Sequence, residues 1–394
     1  MTNTGQRPIY DGLRVLDLSR ILAGPWLGQT LADLGADVVK IESPAGDDTR
    51  QWGPPFVESS EKRQRATPHQ GAEPKATAAY FYACNRGKRS VVADFRQPES
   101  LAAVQRLASR ADVIIENYKV DGLVKFGLDY VSVAAGNSGV VFVSITGFGQ
   151  DGPRAKQPGY DLLIQGMSGI MDITGEPKGE PQKMGVAFAD IFTGLYGVIG
   201  VQAALAEREK TGRGQHIDLA LFDAMSAVLA NQALNYMVAG NPPTRQGNRH
   251  PNLVPYEVFH CADGHLIIAT GNDRQFAALC RVLSLDDLAD SPDFASNAAR
   301  IRNVETLAER INAAASWLRR DDLIDRLHAA GVPAGPINTI EQAQADPQFR
   351  HRGLAIKPEG VPGLRTPLNF SDSPLKVSKT APDLGATNIE DVDW

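Results

Sequence analysis

LRVLDLSRILAGPWLGQTLADLGADVVKIE, residues 13–42, packs a strand, a helix and a second strand into a short span. Leu13-Arg14-Val15-Leu16-Asp17-Leu18 is an apolar extended run, Trp26 to Leu34 follows helical spacing, and Ala36 to Glu42 is extended again. Pro25 suits the first turn of that helix, where a missing N–H costs nothing, and Gly35 suits the position just past its end. Strand, helix and strand at this spacing make a βαβ unit, whose two strands lie parallel. The chain therefore opens as an α/β domain.

The same alternation continues outward. Val91 to Phe95 reads as a strand after the basic turn Asn85-Arg86-Gly87-Lys88-Arg89-Ser90, and residues 99–110 as a helix. Asp112 to Glu116 reads as a strand, followed by Asn117-Tyr118 and a helix ending near Lys125; Val140 to Ile145 is another apolar strand. Repeated alternation predicts a parallel sheet with helices on both faces. Helical patterns follow at 161–173 and 190–210, then a strand at 215–220 and a long apolar helix at 221–239. Residues 53–78, polar with scattered Pro and Gly, read as a long surface loop.

GNPPTRQGNRHPN, residues 240–252, marks a boundary by its Pro, Gly and polar crowding. Beyond it, Tyr256–His260 and His265–Ala269 flank a short turn and read as a β-hairpin. Helices at 273–283, 303–317 and 321–330 complete a smaller α+β domain. The expected division is a large domain over 1–220, completed by 335–394, a helix and linker over 221–250, and a small domain over 251–334.

Composition narrows the class. With 394 residues, 43% hydrophobic and a net charge of −6, the chain is an ordinary globular protein with no electrostatic reason to bind nucleic acid. No run of 18 apolar residues predicts a membrane span, and the polar N-terminus lacks the build of a secretory signal. Three cysteines, Cys84, Cys261 and Cys280, fit a reducing cytoplasm without a disulfide framework. The expected setting is cytoplasmic, with no membrane and no nucleic acid among the partners.

Gly147-Phe148-Gly149-Gln150-Asp151-Gly152 matches G-x-G-x-x-G after a strand, but Pro153 and a polar run follow where a dinucleotide site needs a helix. A turn that lets backbone approach closely is the favoured reading. His260, Cys261 and His265 lack the further ligands of a metal site. What remains is carboxylates and cations. Asp190 lies between apolar Val186–Ala189 and Ile191–Thr193, and Asp161 begins a helical pattern after Pro158-Gly159-Tyr160. Each could cap a helix. In apolar surroundings Asp190 is also poorly solvated, which favours attack on an electrophile. Arg20, Arg86, Lys88, Arg89 and Lys125 lie in strand-end turns or just after them, at the edge where an open α/β sheet binds ligands.

These segments together resemble the family III CoA-transferases, also called the formyl-CoA transferase or carnitine-CoA transferase family. The likeness rests on LRVLDLSRILAGPW at 13–26, LADLGADVVKIE at 31–42, NRGKRSVVADF at 85–95 and ADVIIENYKVDGL at 111–123. It continues through SITGFGQDGP at 144–153, GYD at 159–161, GVAFADIFTGLYG at 185–197, TGRGQHIDLALFD at 211–223 and AGVPAGPINTIEQ at 330–342. The resemblance implies a Rossmann-like large domain, a smaller α+β domain, and a ring-like chain interlocked with a second copy in a homodimer. It places the nucleophilic aspartate on Asp190. It places contacts to the acyl-CoA on Ser19, Arg20, Leu22, Ala23, Lys88, Asn117, Tyr118 and Lys125, with Tyr160 and Asp161 beside the active site.

The implied partners are an acyl-CoA and a small carboxylate, with CoA carried as substrate, no separate cofactor and no metal. Two departures sharpen this. The glycine-rich loop of formyl-CoA transferases is replaced by Gly247-Asn248-Arg249-His250-Pro251-Asn252, and the histidine of the related α-methylacyl-CoA racemases by Tyr160. Arg20, with RQGNRHPNLVPYEVF and GNDRQFAALCRVL, is most similar to the succinate–hydroxymethylglutarate (glutarate) branch. That implies succinyl-CoA as donor and a short dicarboxylate as acceptor, with Arg20, Arg249 or His250 pairing with the distal carboxylate. Backbone N–H groups near Asp190 and the 247–252 loop would steady the oxyanions. A racemase and a CoA-binding protein without turnover are the alternatives.

Overall fold

Val15 and Leu16, fully buried, belong to β1 (Arg14–Asp17), from which the first sheet grows in both directions. The computed structural model describes residues 6–57 and 76–394. Its chain divides into two units, Met1–Ile170 with Lys183–Gly240 and Gln348–Trp394, and Met171–Gln182 with Asn241–Pro347.

In the first unit, β2 (Asp37–Glu42) follows β1 through α1 (Ala23–Asp33). A two-residue pair, β3 (Phe56–Val57) and β4 (Thr77–Ala78), joins the ends of the segment expected to be a surface loop, most of which lies outside the described residues. Then come α2 (Ala79–Cys84), β5 (Arg89–Val92), α3 (Pro98–Ala108), β6 (Val113–Glu116), α4 (Tyr130–Gly136) and β7 (Val141–Thr146). The helices α5 (Asp161–Ser168), α6 (Ile170–Ile173) and α7 (Phe188–Thr211) lead to β8 (His216–Ala220), α8 (Leu221–Ala227) and α9 (Ala230–Ala239).

The sheet order is β5-β2-β1-β6-β7-β8, with every neighbouring pair parallel. Counting only these six strands along the chain, that is 3-2-1-4-5-6, the doubly wound order. The direction of winding reverses between β1 and β6. Alternate side chains feed two apolar layers, as a parallel sheet covered on both faces requires. Val15, Val113, Ile115 and Val143 pack with α1 and α7, whereas Leu16, Ile114 and Phe142 pack with α3 and α4. Residues 348–394 run back over this unit: Thr366 bonds to the buried Asp33 carboxylate, and Trp394 Nε1 donates to Asp37.

Helix α7 is long and apolar enough to cross a bilayer by length and composition. Its apolarity has a packing cause. A Cβ on Gly194 would lie 2.8 Å from the Ala23 carbonyl oxygen, and one on Gly197 would collide with Leu27. These two glycines let α7 lie close along α1, while Val198, Val201 and Ala204 enter the core.

Several helices differ from the sequence pattern. The expected helix 161–173 breaks at Gly169, which takes φ +91 and ends α5 in a left-handed cap. The expected helix 221–239 is two, broken at Val228–Leu229 with Ala230 at φ +46; no Gly or Pro announces that break. The helix expected to end near Lys125 is a single 3₁₀ turn, Val124–Phe126, closed by Gly127 at φ +59. The sequence reading assigned nothing to α4, although Asp129 caps it by accepting from Ser132 N.

In the second unit, β9 (Tyr256–Cys261) and β10 (Gly264–Ala269) form the expected hairpin, and β11 (Ala334–Pro336) adds to β10 antiparallel. Phe259, Leu266 and Ile268 are buried against helices Asp273–Leu283, Val304–Ala315 and Arg320–Ala329 through Phe276, Leu307, Ile311, Leu323 and Leu327. The buried Arg300 ties this core together by donating to Val254 O, Phe294 O and Asp273.

Candidate active site

The loop after β1 and the loop after β6 meet at the reversal of the sheet. Arg20 N–H donates to Asn117 Oδ1 at 3.0 Å, and Asn117 Nδ2 donates back to Arg20 O at 2.7 Å. Asn117 is thus spent on shaping the crevice where an open α/β sheet holds ligands. Ile21 takes φ +74, a backbone strain that its neighbours hold. Its N–H points to the Asp47 carboxylate, and its carbonyl accepts from the Cys84 thiol. Tyr118 and Arg20 are exposed there, and Arg20 reaches the exposed Asp48 at 3.2 Å. Lys125 is also exposed, its ammonium 4.7 Å from the Phe126 ring.

Other cations from the sequence turn inward. Lys88 donates to Asp17 Oδ2 (2.8 Å), Pro25 O (2.9 Å) and Asn85 Oδ1 (2.9 Å), with its side chain wholly buried. Arg86 is buried against Asp33, and Arg89 pairs with Asp37. Ser19 Oγ donates to Asp17, and the side chains of Leu22 and Ala23 are buried. Lys88, expected at the ligand surface, therefore lies inside the fold, where it neutralises Asp17 beneath the crevice. Lys40 does the same for Asp47 at 2.9 Å and donates to Ser19 O. Burial works against its ammonium, but Asp17, Asp47 and Glu42 outweigh burial and hold its proton firmly.

Asp190 sits in the first turn of α7 and is not its cap: the cap position is Ala187, with no side-chain bond. Asp161 supplies the missing cap from outside. Its Oδ1 accepts from Ala189 N–H at 2.8 Å, so it caps α7 rather than the helix it begins. Asp190 lies four residues before Gly194, hence on the helix face that meets Ala23 in α1. No hydrogen bond among the described residues steadies its carboxylate. Burial, and then the charge of Asp161, push its carboxyl up to about 7. Burial and a neighbouring like charge both disfavour the charged form of this carboxyl.

Tyr80, on α2, was missed from the sequence. Burial, and then the charge of Asp190, push its phenol up to about 12, so it stays a neutral hydroxyl. Trp52 meets its ring edge-on at 5.4 Å. Nothing in the run ATAAYFYAC distinguishes Tyr80 from Tyr82; only the fold does. Tyr160, just before Asp161, is 66% exposed.

The G-x-G-x-x-G turn acts by close approach, but to the protein's own backbone. A Cβ on Gly147 would lie 2.6 Å from Gly159 Cα, and this contact delivers the chain into Tyr160-Asp161. Behind Tyr118, the buried Glu116 accepts from Tyr118 N–H at 2.7 Å, and burial lifts its carboxyl to about 7. In the second unit, Arg249 is committed to Glu305 (2.7 Å) and Glu257 (3.3 Å). His250 Nδ1 accepts from Asn252 and Leu253 N–H, which leaves the ring hydrogen on Nε2.

The sequence profile of CoA-transferase family III matches residues 10–388. The chain belongs to CoA-transferase family III. It is 51% identical over 386 residues to a succinate–glutarate CoA-transferase of Agrobacterium fabrum, covering 96% of this chain and 94% of that one. It is 36% identical over 389 residues to a succinyl-CoA:glutarate CoA-transferase of Homo sapiens, covering 95% and 83%. Among solved structures, a CAIB/BAIF family protein from Brucella suis superposes with a TM-score of 0.84 at 55% identity, covering 97% of each chain. As a family III CoA-transferase, this enzyme acts on an acyl-CoA and a carboxylate, and the α/β fold with its large parallel sheet is the fold of that family.

Proposed function

We propose that this CoA-transferase moves CoA from succinyl-CoA to a short dicarboxylate, glutarate first among the candidates, with Asp190 as nucleophile. The observation that carries the proposal is the Asp190 carboxylate, unpaired and poorly solvated at the start of α7 on the face that meets Ala23. The names of the relatives at 51% and 36% identity support the choice of donor and acceptor.

Asp190 attacks the thioester carbonyl, the C–S bond breaks, and CoA leaves as thiolate from a mixed anhydride. The thiolate attacks the aspartyl carbonyl and expels succinate, leaving CoA as a thioester on Asp190. The acceptor carboxylate then displaces the thiolate through a second anhydride. Thiolate attack on the acceptor's acyl carbon releases the new acyl-CoA and restores the carboxylate. No proton is gained or lost overall, and the steps use only CoA and carboxylates. The amides of Phe188 and Asp190 in the first turn of α7, where Asp161 already takes the Ala189 N–H, and the Tyr80 hydroxyl are suited to the successive oxyanions. Arg20, exposed beside the crevice, suits the distal carboxylate better than Arg249, which two glutamates already hold.

The working form in this proposal is the interlocked homodimer, in the cytoplasm. Leu195, Tyr196 and Ile199 on α7, and Leu234, Tyr236, Met237 and Val238 on α9, are exposed apolar side chains that a second copy would cover. Three free thiols suit a reducing compartment.

Incubating the enzyme with succinyl-CoA and glutarate is expected to yield glutaryl-CoA and succinate with ping-pong kinetics. Solvent deuterium at the acyl α-carbon without acyl exchange would instead mark a racemase. Saturable CoA binding with neither reaction would mark a binding protein.

A further inference from the structure

We propose that Gln165 is a positioning residue that fixes the Asp161 carboxylate and the chain entering Asp190 as one unit. The inference rests on the Asp190 reading above. Gln165 is fully buried, one helical turn after Asp161 on α5. Its Nε2 donates to Asp161 Oδ2 at 2.7 Å and lies 3.5 Å from Val186 O, while its Oε1 accepts from Met184 N–H at 2.8 Å.

Residues 183–187 form neither helix nor strand, yet they set where α7 begins. Gln165 grips them from one side. Asp161, held by the same amide, grips Ala189 from the other. A single side chain therefore fixes both the nucleophile's approach and the negative charge beside it. An amide suits the task because it donates to the carboxylate and accepts from the backbone at once. Among the described residues, the Asp161 charge on α5 raises the Asp190 carboxyl, and the Asp190 charge in turn raises the Tyr80 phenol on α2.

The test compares Gln165→Met, which keeps the volume and loses every hydrogen bond, with Gln165→Glu, which keeps an acceptor for Met184 and sets a second acid beside Asp161. Each full-length variant is assayed for kcat and KM toward succinyl-CoA, and for the pH midpoint of adduct formation at residue 190, with Asp190→Asn in parallel. In Gln165→Met, kcat is expected to fall about 10- to 100-fold with KM nearly unchanged, since a small misplacement of reacting groups suffices. Its midpoint is expected to move below the wild-type value by roughly half a pH unit as Asp161 is released. In Gln165→Glu the midpoint is expected to rise. Loosened packing would also lower the midpoint by hydrating Asp190, so both variants are repeated in an Asp161→Asn background: shifts that vanish there act through Asp161, and shifts that persist contradict the positioning role.

If both variants keep the wild-type midpoint, Gln165 is a structural side chain and the proposal is wrong, whatever happens to kcat. Should Gln165→Met fail to fold, the Gln165→Glu shift is compared with and without Asp161→Asn, and a rise independent of Asp161 overturns the positioning role. An adduct that survives in Asp190→Asn overturns the nucleophile assignment itself. An adduct lost there, with unmoved midpoints in the Gln165 pair, overturns only the positioning role.

Discussion

Replacing Asp190 with asparagine is expected to lower CoA transfer by roughly 10⁴-fold or more, because the variant keeps the shape of the site and loses the nucleophile. The same change is expected to stabilise the folded protein at neutral and alkaline pH. Burial and Asp161 raise the Asp190 carboxyl from 3.8 to about 7, so between those values the folded state holds a proton that the unfolded chain has released. Stability therefore falls as pH rises through that window. Asparagine has no charge to desolvate, and above pH 7 the variant is expected to gain about 1–3 kcal/mol. Near pH 3 that advantage should vanish. Urea unfolding of both proteins at pH 3 and pH 8 checks it; equal stability at both would mean that Asp190 is better solvated than its surroundings imply.

Lys88→Met is expected to destabilise the protein by about 3–5 kcal/mol, the usual cost of stranding one member of a buried ion pair. Asp17 and Lys88 are both fully buried, and Lys88 also meets Asn85 and Pro25 O. Gly28, on α1, leaves just the room the pair needs: a Cβ there would lie 3.0 Å from Asp17 and 3.2 Å from Lys88. Denaturant unfolding of Lys88→Met, and of Lys88→Met with Asp17→Leu, separates the contributions. The double variant is expected to recover a substantial part of the loss. A Lys88→Met protein of unchanged stability with a raised KM for acyl-CoA would return Lys88 to the ligand surface.

These two residues illustrate how far the sequence could be read. Arg14–Asp17, Asp37–Glu42 and the helix between them were legible because apolar runs, Pro25 and Gly35 act locally. Helix ends set by tertiary contact were not. The break before Ala230 carries no Gly or Pro, and the cap of α7 comes from Asp161, 28 residues earlier. For the site, the apolar flanks of Asp190 pointed to a poorly solvated acid, and burial raises its carboxyl. Cations were the weaker signal, since Arg20 and Lys88 look alike as strand-end charges. Only the fold shows that Lys88 faces Asp17 in the interior while Arg20 stays outside. Tyr80 and Gln165 gave no local signal at all, because what marks them is what they touch.

The central claim, that the Asp190 carboxylate is the group acylated by the thioester, is tested most directly by peptide mass mapping. Enzyme mixed with succinyl-CoA is trapped with hydroxylamine or borohydride across pH 5 to 9. The expected result is a modification on Asp190 that is absent from Asp190→Asn, with a yield that rises with pH about a midpoint near 7. A modification on another residue, or one that persists undiminished in Asp190→Asn, would contradict it.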